Sequence, residues 1–98
     1  MCLTDKIADE LKDAEDYIDL ALKWKNEDMD ASDLFADLSD EELGHMERLH
    51  NEVVNQIKDY RETNGDPPKG MLELYDHLHK KHLEEAMKIR IKHSMLRS

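Results

Sequence analysis

The chain has 98 residues, 39% of them charged, and its 24 Asp plus Glu against 14 Lys plus Arg give a formal charge of −10. That excess argues against nucleic acid and anionic membranes as partners and suits cations instead. No CxxC pair, phosphate-cradling glycine loop or nucleophile with an adjacent base is present, and no apolar run approaches the roughly 18 residues that would span a bilayer. The opening Met1-Cys2-Leu3-Thr4-Asp5 lacks the basic and apolar regions of a signal peptide, so a cytoplasmic protein is expected. The single Cys2 can form no internal disulfide and reads as incidental.

Two Pro and three Gly in such a charged chain predict long helices with few turns. Thr4 or Asp5 can cap a first helix over about 4–25, along which Ile7, Ala8, Leu11, Ala14, Ile18, Ala21 and Leu22 recur at steps of three and four. Glu15 lies within that repeat. Asn26-Glu27-Asp28-Met29-Asp30 breaks the pattern, and a second helix is expected over about 31–62, with Leu34, Phe35, Leu38, Met46, Leu49, Val53, Ile57 and Tyr60 on its apolar side. Asn64 and Gly65 suit a left-handed C-cap, and Pro67-Pro68 cannot continue a helix, so a third is expected over about 71–96. The expected class is all-α: one domain over 1–98, an antiparallel helical hairpin plus a third helix.

Charge is divided along the chain. Residues 1–62 carry nineteen acids and seven bases, whereas residues 69–98 carry four acids and seven bases, so the third helix should be drawn electrostatically to the first two. Four of the six His also lie in that basic third: His77, His79, His82 and His93.

The segment Ser39-Asp40-Glu41-Glu42-Leu43-Gly44-His45-Met46-Glu47-Arg48-Leu49 carries the chemistry. At helical spacing Leu38, Glu42, His45 and Leu49 share one side, which sets a carboxylate and an imidazole in an otherwise apolar stripe. An ionised carboxylate there needs a counter-charge or a metal. Spacing by itself is weak, because this composition predicts about 1.5 carboxylate-x-x-His pairs by chance, and Glu42/His45, Glu47/His50 and Asp76/His79 all fit. Height selects among them. If the first connection is centred near Asp28 and Met29, equal counts back and forward place Glu15 and Glu42 level, with His45 one turn along. The same count along the third helix puts His79 and His82 near His50 rather than Glu42, where imidazoles either pack or bind Zn, Ni or Cu.

The Ser39–Leu49 segment, with Glu15 upstream, resembles the second-helix metal motif of the ferritin-like superfamily, as in rubrerythrins and above all the encapsulated ferritins. The likeness covers about residues 8–62. It implies a four-helix bundle completed by dimerisation, in which Glu15, Glu42 and His45 of each chain hold iron, two ions per dimer, with Fe(II) oxidation by O2 as the associated activity. It further implies a homodimer or higher even assembly. No Glu-x-x-His occurs in residues 70–98, so a second chain must supply the other half. Zn or another divalent cation is an alternative occupant. The alternative from a different class is a metal-free helical interaction or adaptor protein, bacterial or phage, in which Glu15 and Glu42 pair with Arg48, Lys58 or a base of the third helix.

Overall fold

The computed structural model describes residues 3–98, so Cys2 lies outside the described residues. The chain is all-helical: α1 spans Leu3–Trp24, α2 Met29–Asn64 and α3 Lys69–Leu96, with no strand among the described residues. The Asp28 side chain accepts a hydrogen bond from the Ala31 N–H at 3.1 Å, so α2 starts at Met29, two residues before its expected start. Gly65, at φ 79°, closes α2 in the left-handed region, and its N–H bonds the Arg61 carbonyl at 3.2 Å. Pro67 is buried and Pro68 precedes the first turn of α3. At about 1.5 Å per residue α2 is some 54 Å long, close to the 56 Å of the molecule's long axis. The much shorter α1 covers only part of it.

The core joins Ile7, Leu11, Ala14, Ile18 and Ala21 of α1 to Leu43 and Met46 of α2 and Ala86 and Ile89 of α3. The most buried positions of α2 include Ser32 and Ser39, and their small side chains let the backbones approach. The Ser32 hydroxyl donates to the Ala21 carbonyl at 2.8 Å and the Ser39 hydroxyl to the Ala14 carbonyl at 2.6 Å. Seven residues forward on α2 thus match seven residues back on α1.

These two pairs straddle the Asn26–Glu27 bond equally. The register is therefore centred two residues earlier than Asp28–Met29, because the cap at Asp28 shortens the connection. The stripe Leu38, Glu42, His45, Leu49 is corrected accordingly. The buried line is Ser32, Ser39, Leu43, Met46, while Leu38, Glu42 and Leu49 are half-buried and His45 is exposed. Two hydroxyls that can bond helix carbonyls lie deeper than a carboxylate and an imidazole that need water or counter-charge.

His93 of α3 joins the same node. Its Nε2 lies 3.0 Å from Ser39 Oγ, whose own proton is directed to Ala14, so Nε2 is the donor and Ser39 the acceptor. That tautomer leaves Nδ1 unprotonated and without a hydrogen bond, 3.6 Å from an Asp40 carboxylate oxygen. Burial pushes the imidazole below its ordinary value of 6.5, against the opposing pull of Asp40 and with a smaller push from Arg97.

The expected attraction of α3 to the acidic helices takes the form of discrete pairs. Lys92 reaches Asp19 at 2.8 Å and Glu15 at 3.5 Å, and Arg90 reaches Glu47 at 3.0 Å. Lys25 in turn bonds the carbonyls of Met95 and Ser98, at 3.3 and 3.0 Å, at the negative end of α3. Such exposed pairs contribute about 0–1 kcal/mol each, so they orient α3 more than they hold it.

Two outcomes follow for stability. Ser39→Ala removes a buried donor to α1 and orphans His93 Nε2, and should cost about 1–3 kcal/mol in urea unfolding, whereas Ser32→Ala, with no imidazole to orphan, should cost about 1 kcal/mol. A depressed folded-state value means that the unfolded chain binds more protons, so the contribution of His93 is complete above about pH 6.5 and is lost as pH falls through the folded value. His93→Gln should therefore show a smaller loss of Tm than the parent chain between about pH 7.5 and about pH 5.5. An equal loss would place the acid sensitivity elsewhere.

Candidate metal centre

Glu42 and His45 stand on one side of α2 because they are separated by three residues. The register sets Leu11, not Glu15, level with Glu42, and the neighbouring carboxylate of α1 on that side is Glu10. His45 Nδ1 lies 3.6 Å from Glu10 Oε2 and 3.8 Å from Glu42 Oε2. Among the described residues, Glu10, Glu42 and His45 are the one group of three or more such side chains whose donor atoms all lie within 4.8 Å of one another.

The three donors differ in environment. The Glu10 side chain is 11% exposed, Glu42 20% and His45 52%, so the group faces outward from a half-dry base. Lys6 holds the other Glu10 oxygen, Oε1, at 3.4 Å, one helical turn away. That ammonium makes burial of the Glu10 carboxylate tolerable without a metal and would compete with one. On the open side a hollow of about 570 Å³ is bordered by Lys6, Glu10, His45, Arg48, Leu49 and Glu52.

Of the three residues singled out in the sequence, Glu42 and His45 are brought together, and Glu15 is not with them. Its carboxylate faces Lys92 of α3 at 3.5 Å. Glu10 was missed because a height count over one connection carries an error of about one helical turn when the connection's centre is displaced by two residues. Its place in the sequence also carried a signal. Glu10 lies three residues after Ile7 and four before Ala14, on the apolar repeat of α1, where an unpaired acid is out of place.

No family model, curated protein or solved structure matches this chain. The site must be read from its own chemistry. Two carboxylates and one imidazole form a hard-to-borderline donor set with coordination positions left open. Among the described residues nothing near the group provides a thiolate or an activated hydroxyl. The Ser39–His93–Asp40 sequence of contacts has the order of a hydrolytic triad, but Ser39 is 0% exposed and its proton is spent on Ala14, so no substrate reaches it.

A second histidine group lies on another side of α2. The His50 and His79 rings stack at 4.1 Å between centroids and 9° between planes, and Tyr75 Oη lies 3.4 Å from His50 Nδ1. Burial lowers the proton affinity of His50, assisted by His79 and His82; burial likewise lowers that of His82, opposed by Glu85. No helix among the described residues is long and apolar enough to cross a membrane.

Proposed function

We infer that this chain binds a divalent metal ion, iron in the first place, through Glu10, Glu42 and His45, and that two chains together form a two-iron carboxylate site which oxidises Fe(II) with O2. The observation that carries the reading is the convergence of two carboxylates from different helices on one imidazole, inside 4.8 Å, at a half-buried base open to one side. Oxygen and imidazole donors suit Fe(II) and Fe(III) better than they suit soft ions. Zn and other divalent ions fit the same donors and are the competing occupants.

Three donors do not saturate iron. An antiparallel α1–α2 hairpin offers one Glu from α1 and a Glu-x-x-His from α2, which is half of the donor set that ferritin-like bundles assemble around two irons. A two-fold axis beside His45 would bring a second identical set opposite the first, and an isologous contact is the economical way to do so. In this reading Glu15 is not a ligand but the counter-charge of Lys92. A two-chain assembly also answers the exposed apolar residues that one chain leaves on the overhanging part of α2 and the facing part of α3: Val54, Tyr60, Met71 and Leu74, at 40–60% exposure.

Within this mechanism the chain has three tasks. Glu10, Glu42 and His45 would hold the ion, the two carboxylates would supply negative charge that favours Fe(III) over Fe(II), and the uncovered side would leave room for O2. Anaerobic Fe(II) titration of metal-free protein should saturate at roughly one iron per chain with association into an even assembly, and admission of air should produce a near-ultraviolet ferric band. Glu42→Ala should abolish binding while leaving the helical signal intact, since it removes a costly half-buried charge. Lack of binding by the parent chain, with no change in assembly, would refute the proposal and favour the metal-free interaction protein.

The ion pair at Glu10 gives a more specific outcome. Lys6→Met removes the ammonium that shares this carboxylate and should tighten Fe(II) binding about two- to fivefold, the equivalent of an exposed ion pair. Fe(II) affinity unchanged in Glu10→Gln as well as in Lys6→Met would show that Glu10 is not a ligand.

A further inference from the structure

The cavity beside His50 is built from residues that the iron reading leaves unused. Its volume is about 280 Å³, and its walls include Ile7 of α1, Glu47 and His50 of α2, and His79, His82 and Arg90 of α3. His79 and His82 are three residues apart on α3, which turns both toward the same side, and His50 comes to them from α2. Three imidazoles thus border one space.

His82 is the informative member. It is 8% exposed, yet neither ring nitrogen hydrogen-bonds to a protein group among the described residues. Its nitrogens are not sealed off as His93 Nδ1 is, so they open onto the cavity, where water or another polar species can meet them. His79 likewise has no hydrogen-bond partner among the described residues and makes only ring contacts, with His50 at 4.1 Å and Tyr75 at 5.8 Å. The carboxylate that lines the cavity, Glu47, is paired with Arg90 at 3.0 Å, and no ion pair between a carboxylate and His50, His79 or His82 occurs among the described residues, so acid–base pairing does not account for the cluster. Apolar residues would stabilise the same junction with less penalty.

We propose that His50, His79 and His82 form a second metal site, selective for a borderline divalent transition ion (Zn(II), Ni(II) or Cu(II)) and independent of the carboxylate-rich centre. Three neutral nitrogen donors, with the one lining carboxylate, Glu47, engaged by Arg90, favour those ions over Fe(II), Mn(II) or Mg(II). Tyr75 supplies the outer support. Its phenolic oxygen lies 3.4 Å from His50 Nδ1 and, in the tautomer protonated there, accepts a hydrogen bond from the Nδ1–H, which would leave Nε2 as the ligating atom. His50 and His79 meet face to face at 9°, a geometry for stacking, and the donor atoms of the three imidazoles do not all lie within 4.8 Å of one another, so ligation must rotate the His79 ring out of the stack and turn a nitrogen toward the cavity. The ion would fasten α2 to α3 at the point where α1 gives out.

His45 and His50 are five residues apart on α2, about 7.5 Å along the axis and on different sides of it, so the two sites share a helix without sharing a donor. A chain would then sort hard and borderline ions between two adjacent positions.

The test is calorimetric titration of the metal-free full chain with Zn(II) and Cu(II), in a Cys2→Ser background to remove the terminal thiol. The expected result is one ion per chain at this site, unchanged by Glu42→Gln or by His45→Ala, and unchanged by His77→Ala on the exposed side of α3. His79→Ala, at a half-buried position, should weaken binding more than tenfold, and Tyr75→Phe should weaken it by about tenfold through loss of the orienting hydrogen bond. Because a variant can fail by misfolding, two readouts use the unmodified histidines: nitrogen hyperfine structure in the Cu(II) electron paramagnetic resonance spectrum, and loss of the mutual ring-current shifts of His50 and His79 when Zn(II) is added. Binding that persists in His79→Ala, or that disappears in Glu42→Gln instead, would overturn the proposal, as would ring-current shifts that survive saturation. The iron site can fail its own titration without affecting this result.

Discussion

The Ser39 hydroxyl is the point on which the arrangement of three helices turns. It donates to the Ala14 carbonyl of α1 and accepts from His93 Nε2 of α3, and it is completely buried. A carbonyl already engaged in a helix retains a second lone pair, so the added bond disrupts nothing in α1. A larger side chain at this position would separate the helices, and an apolar one of similar size would leave an imidazole nitrogen unpaired in the core. With Ser32 repeating the contact at Ala21, the hydroxyls fix both the spacing and the longitudinal register of α1 on α2.

Everything at the surface follows from that register. Because Ser39 is level with Ala14, Glu42 is level with Leu11, and Glu10 is the acid that turns toward His45. Glu15 is carried one turn away, toward α3, where Lys92 is already held by Asp19 at 2.8 Å. The hydrogen bond to Asp19 raises the proton affinity of Lys92, so the ammonium remains charged where it meets both carboxylates. The acids of α1 are thereby divided between two tasks: Asp19 and Glu15 position α3, and Glu10 is left facing the open side with His45 and Glu42.

The histidines follow an analogous division. His93 is locked between helices by one good hydrogen bond and one unsatisfied nitrogen, whereas His50, His79 and His82 gather at the junction of α2 with α3. Long helices of unequal length make this possible. Where α1 covers α2, apolar and small residues form a three-helix core; past Leu3, among the described residues, α2 and α3 continue alone, and the rings of Tyr75, His50 and His79 close the gap by stacking. Polar aromatic rings tolerate the intermediate wetness of such a boundary better than aliphatic side chains would.

Helix number, order and approximate ends were legible in the residues themselves. The apolar steps of α1, the Asn64-Gly65 stop and the paired prolines are local signals, because capping and backbone restriction act within a few residues. The pairing of Glu42 with His45 is equally local, being fixed by helical spacing, and the approach of His79 to His50 survived because the second connection was counted closely enough. What only the tertiary structure decided was the register of α1 on α2. A two-residue displacement of the connection, caused by the Asp28 cap, exchanges Glu15 for Glu10 and turns the expected apolar stripe to the edge of the interface. Periodicity cannot settle such a choice: it defines which residues share a side of a helix, while the height at which two helices meet is set by the close contact of small residues and by buried hydrogen bonds between distant parts of the chain.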